Sequence, residues 1–270
     1  MAEPDTLLDA LVEQVQRAEK YRHLSEVLVR SVLTAEMEKR HGPKEAVKAA
    51  RSKLHQVAAA YQGKPIPYAA WLKELAQLPQ DLHHPDVLSY LMHALPAHAS
   101  TRERIPIQAV FFQECLAPLG SVHSILDLAC GLNPLVIPWL PLQPGFTYTA
   151  CDIYTDMLDF LNAFFARFKI DGHAVPCDIT RELPPVKADL TLVLKTIPCL
   201  EQIDKDAGRR LLEMISSPNI LVSFPAHSLG GKSKGMVRNY ERRFAELLTG
   251  KAWQVTRFEF PGELAFLIQR

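Results

Sequence analysis

The sequence predicts an α/β fold: a doubly wound, Rossmann-like parallel sheet preceded by an all-helical N-terminal domain. Three observations carry this. From Ser124 onward, short apolar runs of strand length alternate with helical stretches. The first of those runs leads into a turn at Gly131, and the last two are joined at Pro261-Gly262 as in a hairpin. Before Ser124 the apolar residues recur at helical spacing.

In chain order, Leu7, Leu8, Leu11, Val12 and Val15 give the first helix. Ser25 is placed to cap a second, with Val27, Leu28, Val32 and Leu33 on one side. Gly42-Pro43 ends it, and Pro43 suits the first turn of a third helix carrying Val47, Leu54, Val57 and Ala58. A looser stretch follows, with prolines at 65, 67, 79, 85 and 96, and a domain boundary is placed near residue 95. His98–Arg104 then leads into a helix with Ile107, Val110, Phe111 and Leu116. Strands are expected at 124–128, 147–151, 173–177, 189–194 and 219–224, and helices at 134–140, 156–168, 204–216 and 236–248. The terminal pair, 254–260 and 263–269, is expected to add an antiparallel edge strand. The domains are then 1–95 and 96–270.

Composition sets the class. The 270 residues are 48% hydrophobic and 22% charged, an ordinary globular balance. Thirty basic and 30 acidic residues cancel, so no global charge argues for nucleic acid, and local patches must do so. Five cysteines, none at C-x-x-C spacing, imply reduced thiols rather than a disulfide framework or zinc site. No run approaches the ~20 apolar residues of a membrane span, and no signal-like segment opens the chain. A cytoplasmic protein with no membrane association and no metal is expected.

The strand Ile125–Leu128 runs into Ala129-Cys130-Gly131-Leu132-Asn133-Pro134. Glycine at 131 lets the backbone turn sharply and approach a ligand. Asp152, at the second strand end, lies roughly 20 residues further on, where an acid can accept from both ribose hydroxyls. Asp178, at the third strand end, could accept from an adenine amino group. Singly, each also reads as an ordinary strand-end turn with an acidic cap. In order and at this spacing, they describe a pocket for an adenosyl group. The turn lacks the further glycines that a pyrophosphate needs, so S-adenosylmethionine is favoured over a dinucleotide. A class I methyltransferase is the expected class.

With these residues in hand, the chain resembles the aminoglycoside-resistance 16S rRNA methyltransferases that modify N7 of guanine 1405. The resemblance runs from about Lys20 to the end. It rests on Lys20-Tyr21-Arg22, Ala49-Ala50-Arg51 with Leu54-His55, His98-Ala99-Ser100-Thr101-Arg102-Glu103-Arg104 and Leu126–Pro134. It continues through Lys195-Thr196-Ile197-Pro198-Cys199-Leu200-Glu201, Ser223-Phe224-Pro225 and Ser228–Met236. It implies cofactor contacts at Tyr61, His98, Ala99, Ser100, Arg104, Ala129, Asp152, Asp178, Ile179 and Leu194, with Arg104 pairing to the methionine carboxylate. On sequence alone Arg104 reads equally well as a surface arginine in a helix cap. The family docks on 16S rRNA within the assembled small subunit, and a monomer is expected.

Two basic stretches fit that partner. Lys44, Lys48 and Arg51 are spaced i, i+4, i+7 on one helical face, with Lys53 close by. Lys232 and Lys234 belong to a second stretch with Arg238, Arg242 and Arg243. Either can position phosphates, and either can be a solvated face. Met236 is placed near the target base by the resemblance, although it also suits the first core position of a helix, and Asn239, one turn further on, is a second candidate for the target site. Lys195 is assigned to an RNA phosphate, and Lys195-Thr196-Ile197-Pro198 lacks the Asn/Asp-Pro-Pro-Tyr pattern of exocyclic-amine chemistry. No catalytic base is expected. His227 stands where the family commonly has Arg or Lys, which weakens one RNA contact. The alternatives are a methyltransferase for a small molecule or another rRNA site, and a non-catalytic RNA-binding homologue.

Overall fold

The structure is a computed structural model that describes residues 4–40, 42–58, 65–202, 204–226 and 235–270. Tyr61, His227, Lys232 and Lys234 lie outside the described residues. Helices α1 (Pro4–Gln16), α2 (Glu26–Met37) and α3 (Pro43–Ala58) open the chain and pack on one another. Ser25 caps α2 as expected, its Oγ accepting from Leu28 N at 3.3 Å.

The proline-rich stretch is more ordered than the sequence implies. It forms α4 (Tyr68–Gln77) and α5 (Pro85–Ala94). Its prolines punctuate these helices instead of breaking them. Pro67 is the N-cap of α4, and Pro85 opens α5, where the missing N–H has no helical partner to lose. Tyr68 and Trp71 of α4 pack on Phe160, ring centroids 5.5 Å apart in each case. The apolar core therefore runs without a gap across residue 95.

Short helices α6 (Ala99–Arg104) and α7 (Gln108–Leu116) lead to the sheet. Strands β1 (Ser124–Leu128), β2 (Thr147–Asp152), β3 (Asp171–Pro176), β4 (Leu190–Leu194), β5 (Asn219–Pro225), β6 (Gln254–Phe260) and β7 (Glu263–Gln269) alternate with helices α8 (Thr155–Arg167), α9 (Ile197–Leu200), α10 (Ala207–Met214) and α11 (Met236–Leu247). The segment Asn133–Trp139, expected to be α-helical, is a 3-10 helix. Pro138 sits inside it and has no N–H to donate.

The sheet order is β3-β2-β1-β4-β5-β7-β6, with β1 to β5 parallel. The C-terminal hairpin departs from expectation. Its antiparallel strand, β7, is not at the edge but lies between β5 and β6. Glu263 to Ile268 are all buried, so β7 needs cover on both faces and both edges. β6 carries exposed residues along its length and takes the edge. Alternate residues face two cores. Ile125, Leu190 and Leu192 join the core that includes α7, α8 and the N-terminal helices, and Leu126, Val193 and Val222 join the one under α10 and α11.

Candidate active site

The strand order reverses between β1 and β4, and ligands of such sheets bind outside the strand ends at this point. Both strand ends are strained there. Ala129, after β1, has φ 51°, and Lys195, after β4, has φ 58°. Left-handed backbone at non-glycine residues is costly and concentrates at functional sites. A cavity of about 400 Å³ opens beside them, lined by Ala129, Asp152, Asp178, Ile179, Leu194 and Lys195 among others. That volume suits a small-molecule ligand.

Asp152 and Asp178 are both buried but partly free to accept. Asp152 Oδ2 accepts from Gly131 N at 2.9 Å and Oδ1 from Ile153 N at 2.7 Å, and the backbone N–H of Tyr154 also donates to the carboxylate, which leaves about one acceptor site. Burial pushes its pKa up, and those backbone N–H groups and His98 oppose the shift. Gly131 has φ 53°, and a Cβ there would lie 2.8 Å from His98 Cε1, so the turn and the imidazole are built against each other. His98 lines the cavity and contacts Ser100 Oγ through Nδ1 at 2.9 Å. Burial drives its pKa down, against the pull of Asp152. Of the expected cofactor residues, His98, Ser100, Ala129, Asp152, Asp178, Ile179 and Leu194 line the cavity. Ala99 starts α6 beside it without lining it.

Two assignments change. Arg104 is 1% exposed and does not line the cavity. Its Nη2 lies 2.6 Å and its Nε 3.1 Å from the Glu263 carboxylate, and Nη1 donates to Asn133 Oδ1 at 3.1 Å. The fork expected to clamp a methionine carboxylate is filled from within the protein. Lys195 is not a surface phosphate contact. Its Nζ is buried between Glu103, at 2.8 Å, and Glu263, at 3.3 Å. Burial raises the Glu263 pKa, but Arg104 and Lys195 outweigh that and hold it below the usual carboxylate range. Glu263 is the residue sequence reading missed. Its only signal was an acid opening an otherwise apolar strand.

The network continues to Asp127, whose Oδ2 accepts from Tyr148 OH at 2.6 Å and Asn133 Nδ2 at 2.9 Å. Burial lifts its pKa from 3.8 to about 7. Below pH 3.8 folded and unfolded chains both carry the proton; above it only the folded chain keeps it, until pH 7. The Asp127 contribution to stability is therefore present in acid and lost as pH rises through 7. Asp127→Asn is expected to remove this decline. In urea unfolding, its stability relative to the parent should rise between pH 5 and pH 8, by about 2.7 kcal/mol. Parallel pH curves for the two proteins would refute the assignment.

The N-terminal basic stretch divides. Lys44 and Lys48 are exposed on α3. Arg51 instead donates to Gln14 O at 2.7 Å, and Lys53 pairs with Glu36 at 2.6 Å while lining the cavity. Those two tie the helices together and are half-buried. Near the second stretch, Arg238, Asn239 and Arg242 of α11 are exposed, Arg243 is held by Glu201 at 2.8 Å, and half-buried Met236 opens the helix.

A doubly wound sheet whose three consecutive strand ends present left-handed Ala129 and two acids to one cavity defines a class I methyltransferase using S-adenosylmethionine. Residues 17–267 match the family described as "Ribosomal RNA methyltransferase (FmrO)". The chain belongs to this family of ribosomal RNA methyltransferases. It is 32% identical over 269 residues to the 16S rRNA (guanine(1405)-N(7))-methyltransferase of Micromonospora echinospora, covering 99% of this chain and 98% of that one. The enzyme of the same name from Serratia marcescens is 31% identical, covering 97% and 98%. Among solved structures, the 16S rRNA methyltransferase RmtF in complex with S-adenosyl-L-homocysteine superposes with a TM-score of 0.78 at 30% identity, covering 99% and 100%. The 16S rRNA methylase RmtB gives 0.79 at 27% identity, covering 97% and 98%. Among the described residues no helix is long and apolar enough to cross a membrane.

Proposed function

We propose that this chain transfers the methyl group of S-adenosylmethionine to N7 of guanine 1405 of 16S rRNA in the small ribosomal subunit, conferring aminoglycoside resistance. The observation that carries the reading is the cavity at the β1/β4 reversal, walled by Ala129, Asp152 and Asp178, in a chain matched over its whole length by enzymes of that name. Asp152 is the ribose acceptor, Asp178 and Ile179 take the adenine, and Ala129 and His98 flank the close backbone approach. When bound, the cofactor supplies an electrophilic methyl on a sulfonium, which N7 takes up by in-line displacement as the C–S bond breaks. Guanine N7 already has its lone pair, so the protein needs no base and acts by positioning.

The charges suit this. Glu103 and Glu263 cancel the charge of Lys195, and Glu263 also faces Arg104. No uncompensated cation of that cluster opposes the positive charge that develops on the purine. Lys195 thus shapes the floor of the site instead of repelling its product.

Residues 1–95 are the rRNA-docking region, with Lys44 and Lys48 as phosphate contacts, and Met236 and Asn239 of the catalytic region lie near the target base. The test is labelled methyl transfer to purified small subunits, with the product mapped by reduction, aniline cleavage and primer extension. A stop at guanine 1405 is expected, and transfer to any other site overturns the reading. Lys44→Glu with Lys48→Glu should weaken subunit binding and lower the salt slope by about two, leaving cofactor affinity unchanged. Unchanged subunit binding would remove this patch from the interface.

A further inference from the structure

Helix α2 belongs to the N-terminal region, yet one of its faces forms a wall of the cofactor cavity. Leu28, Ser31, Val32 and Ala35 all line it, at the i, i+3, i+4, i+7 spacing of a single helical stripe. The adjoining stripe, with Val29, Leu33 and buried Glu36, faces the helical core. The stripe is fixed at both ends to the strand tips that carry the two acids. At its start, Ser25 N donates to Ile153 O at 2.7 Å, and His23 O accepts from Thr155 N at 2.8 Å, just after Asp152. Further along, Ser31 Oγ donates to Asp178 Oδ2 at 2.9 Å, and Arg181 Nη2 donates to Ser31 O at 3.3 Å.

A serine inside a helix commonly bonds back to its own preceding turn. This one reaches across to a residue 147 positions away. Its proton is committed to Asp178, so what Ser31 offers the cavity is a lone pair. Asp178 Oδ1 is filled by Thr180 N at 3.1 Å and Thr180 Oγ1 at 2.6 Å, while Oδ2 keeps one acceptor site beside the Ser31 bond. Two acceptors therefore sit side by side where the third strand ends. An exocyclic amino group satisfies such a pair, whereas a ring carbonyl placed there finds no donor in the pair; Arg181, which also lines the cavity, holds its Nε 3.9 Å from Asp178 Oδ2, beyond hydrogen-bond reach of that oxygen.

We propose that Ser31 is a specificity-determining residue of the cofactor site: with Asp178 it selects a 6-amino over a 6-oxo purine. This rests on the reading of the cavity as an S-adenosylmethionine site and adds a residue of the N-terminal helices to it. A site built to pair with a polar group rejects an analogue lacking that group strongly, because its own buried atoms are left unpaired.

The experiment is calorimetric titration of S-adenosylhomocysteine and its deaminated counterpart, S-inosylhomocysteine, into the full chain and its Ser31→Ala and Ser31→Thr variants. The parent should prefer the adenosyl compound strongly. Ser31→Ala should lower that preference about tenfold, the worth of one hydrogen bond to a polar group. Ser31→Thr, which keeps the hydroxyl, should retain it. Alanine is well tolerated inside a helix, and matched thermal midpoints would establish that the variants are folded. An unchanged preference in Ser31→Ala overturns the role of Ser31 alone. A parent that binds neither compound overturns the cofactor reading and this inference together.

Discussion

Asp152→Ala is expected to lose S-adenosylhomocysteine binding by at least ~100-fold in calorimetry and to lose methyl transfer with it, while remaining folded. Hydrogen bonds to an ionised acceptor contribute about 1.5–3 kcal/mol each, and the ribose would lose its acceptor. A second effect acts in the same direction. The carboxylate also accepts from the backbone N–H groups of Gly131, Ile153 and Tyr154, so alanine takes this partner from three backbone donors. Asp152→Asn keeps one acceptor oxygen and should fall between parent and alanine. An alanine variant that titrates with parental affinity would remove Asp152 from the site.

Glu263→Ala should produce the largest loss of stability, about 3–5 kcal/mol by urea unfolding, because it strands two buried cations at once. Among the described residues, Arg104 would retain only Asn133 as a side-chain hydrogen-bond acceptor, beside the Phe111 ring 4.9 Å away, and Lys195 only Glu103 as a carboxylate partner. Adding Lys195→Met to Glu263→Ala should recover part of the loss, since one stranded charge disappears. That non-additivity is the signature of a coupled group rather than of independent contacts. A loss below about 1 kcal/mol, or simple additivity, would mean that water reaches and solvates the cluster.

Much of this was legible in the sequence, for reasons that differ by element. β1, β6 and β7 begin and end where the apolar runs do, because Gly131 and Pro261-Gly262 are hard punctuation. Asp152 and Asp178 were found because their positions along the chain follow from the parallel sheet itself. α4 and α5 were hidden by prolines that read as breakers but sit at helix starts, where they are harmless. The place of β7 depends on what lies on both its flanks, which no local pattern states. The partners of Arg104 and Lys195 escaped for a related reason: Arg104 and Glu263 are 159 residues apart in sequence. Spacing reveals what a helix or a turn brings together, and a cation's choice between ligand and protein is decided by tertiary structure. Ser31 was unreadable in the same way, since α2 looks like any core helix until its second face is seen against Asp178.

The inward place of β7 bears on how the enzyme is made. While the ribosome is still extending the chain past β5, that strand has a bare flank, because its neighbour is encoded after the whole of α11 and β6. Unpaired strand flanks invite wrong partners, so α11 and the emerging hairpin have to shield it during synthesis. Arg104 and Lys195 wait just as long for the carboxylate that joins them, because Glu263 is the first residue of that late strand. Completion of the Arg104–Glu263–Lys195 cluster is thus tied to the final stage of translation, and a nascent polypeptide truncated before residue 263 would carry both buried cations without the carboxylate that joins them.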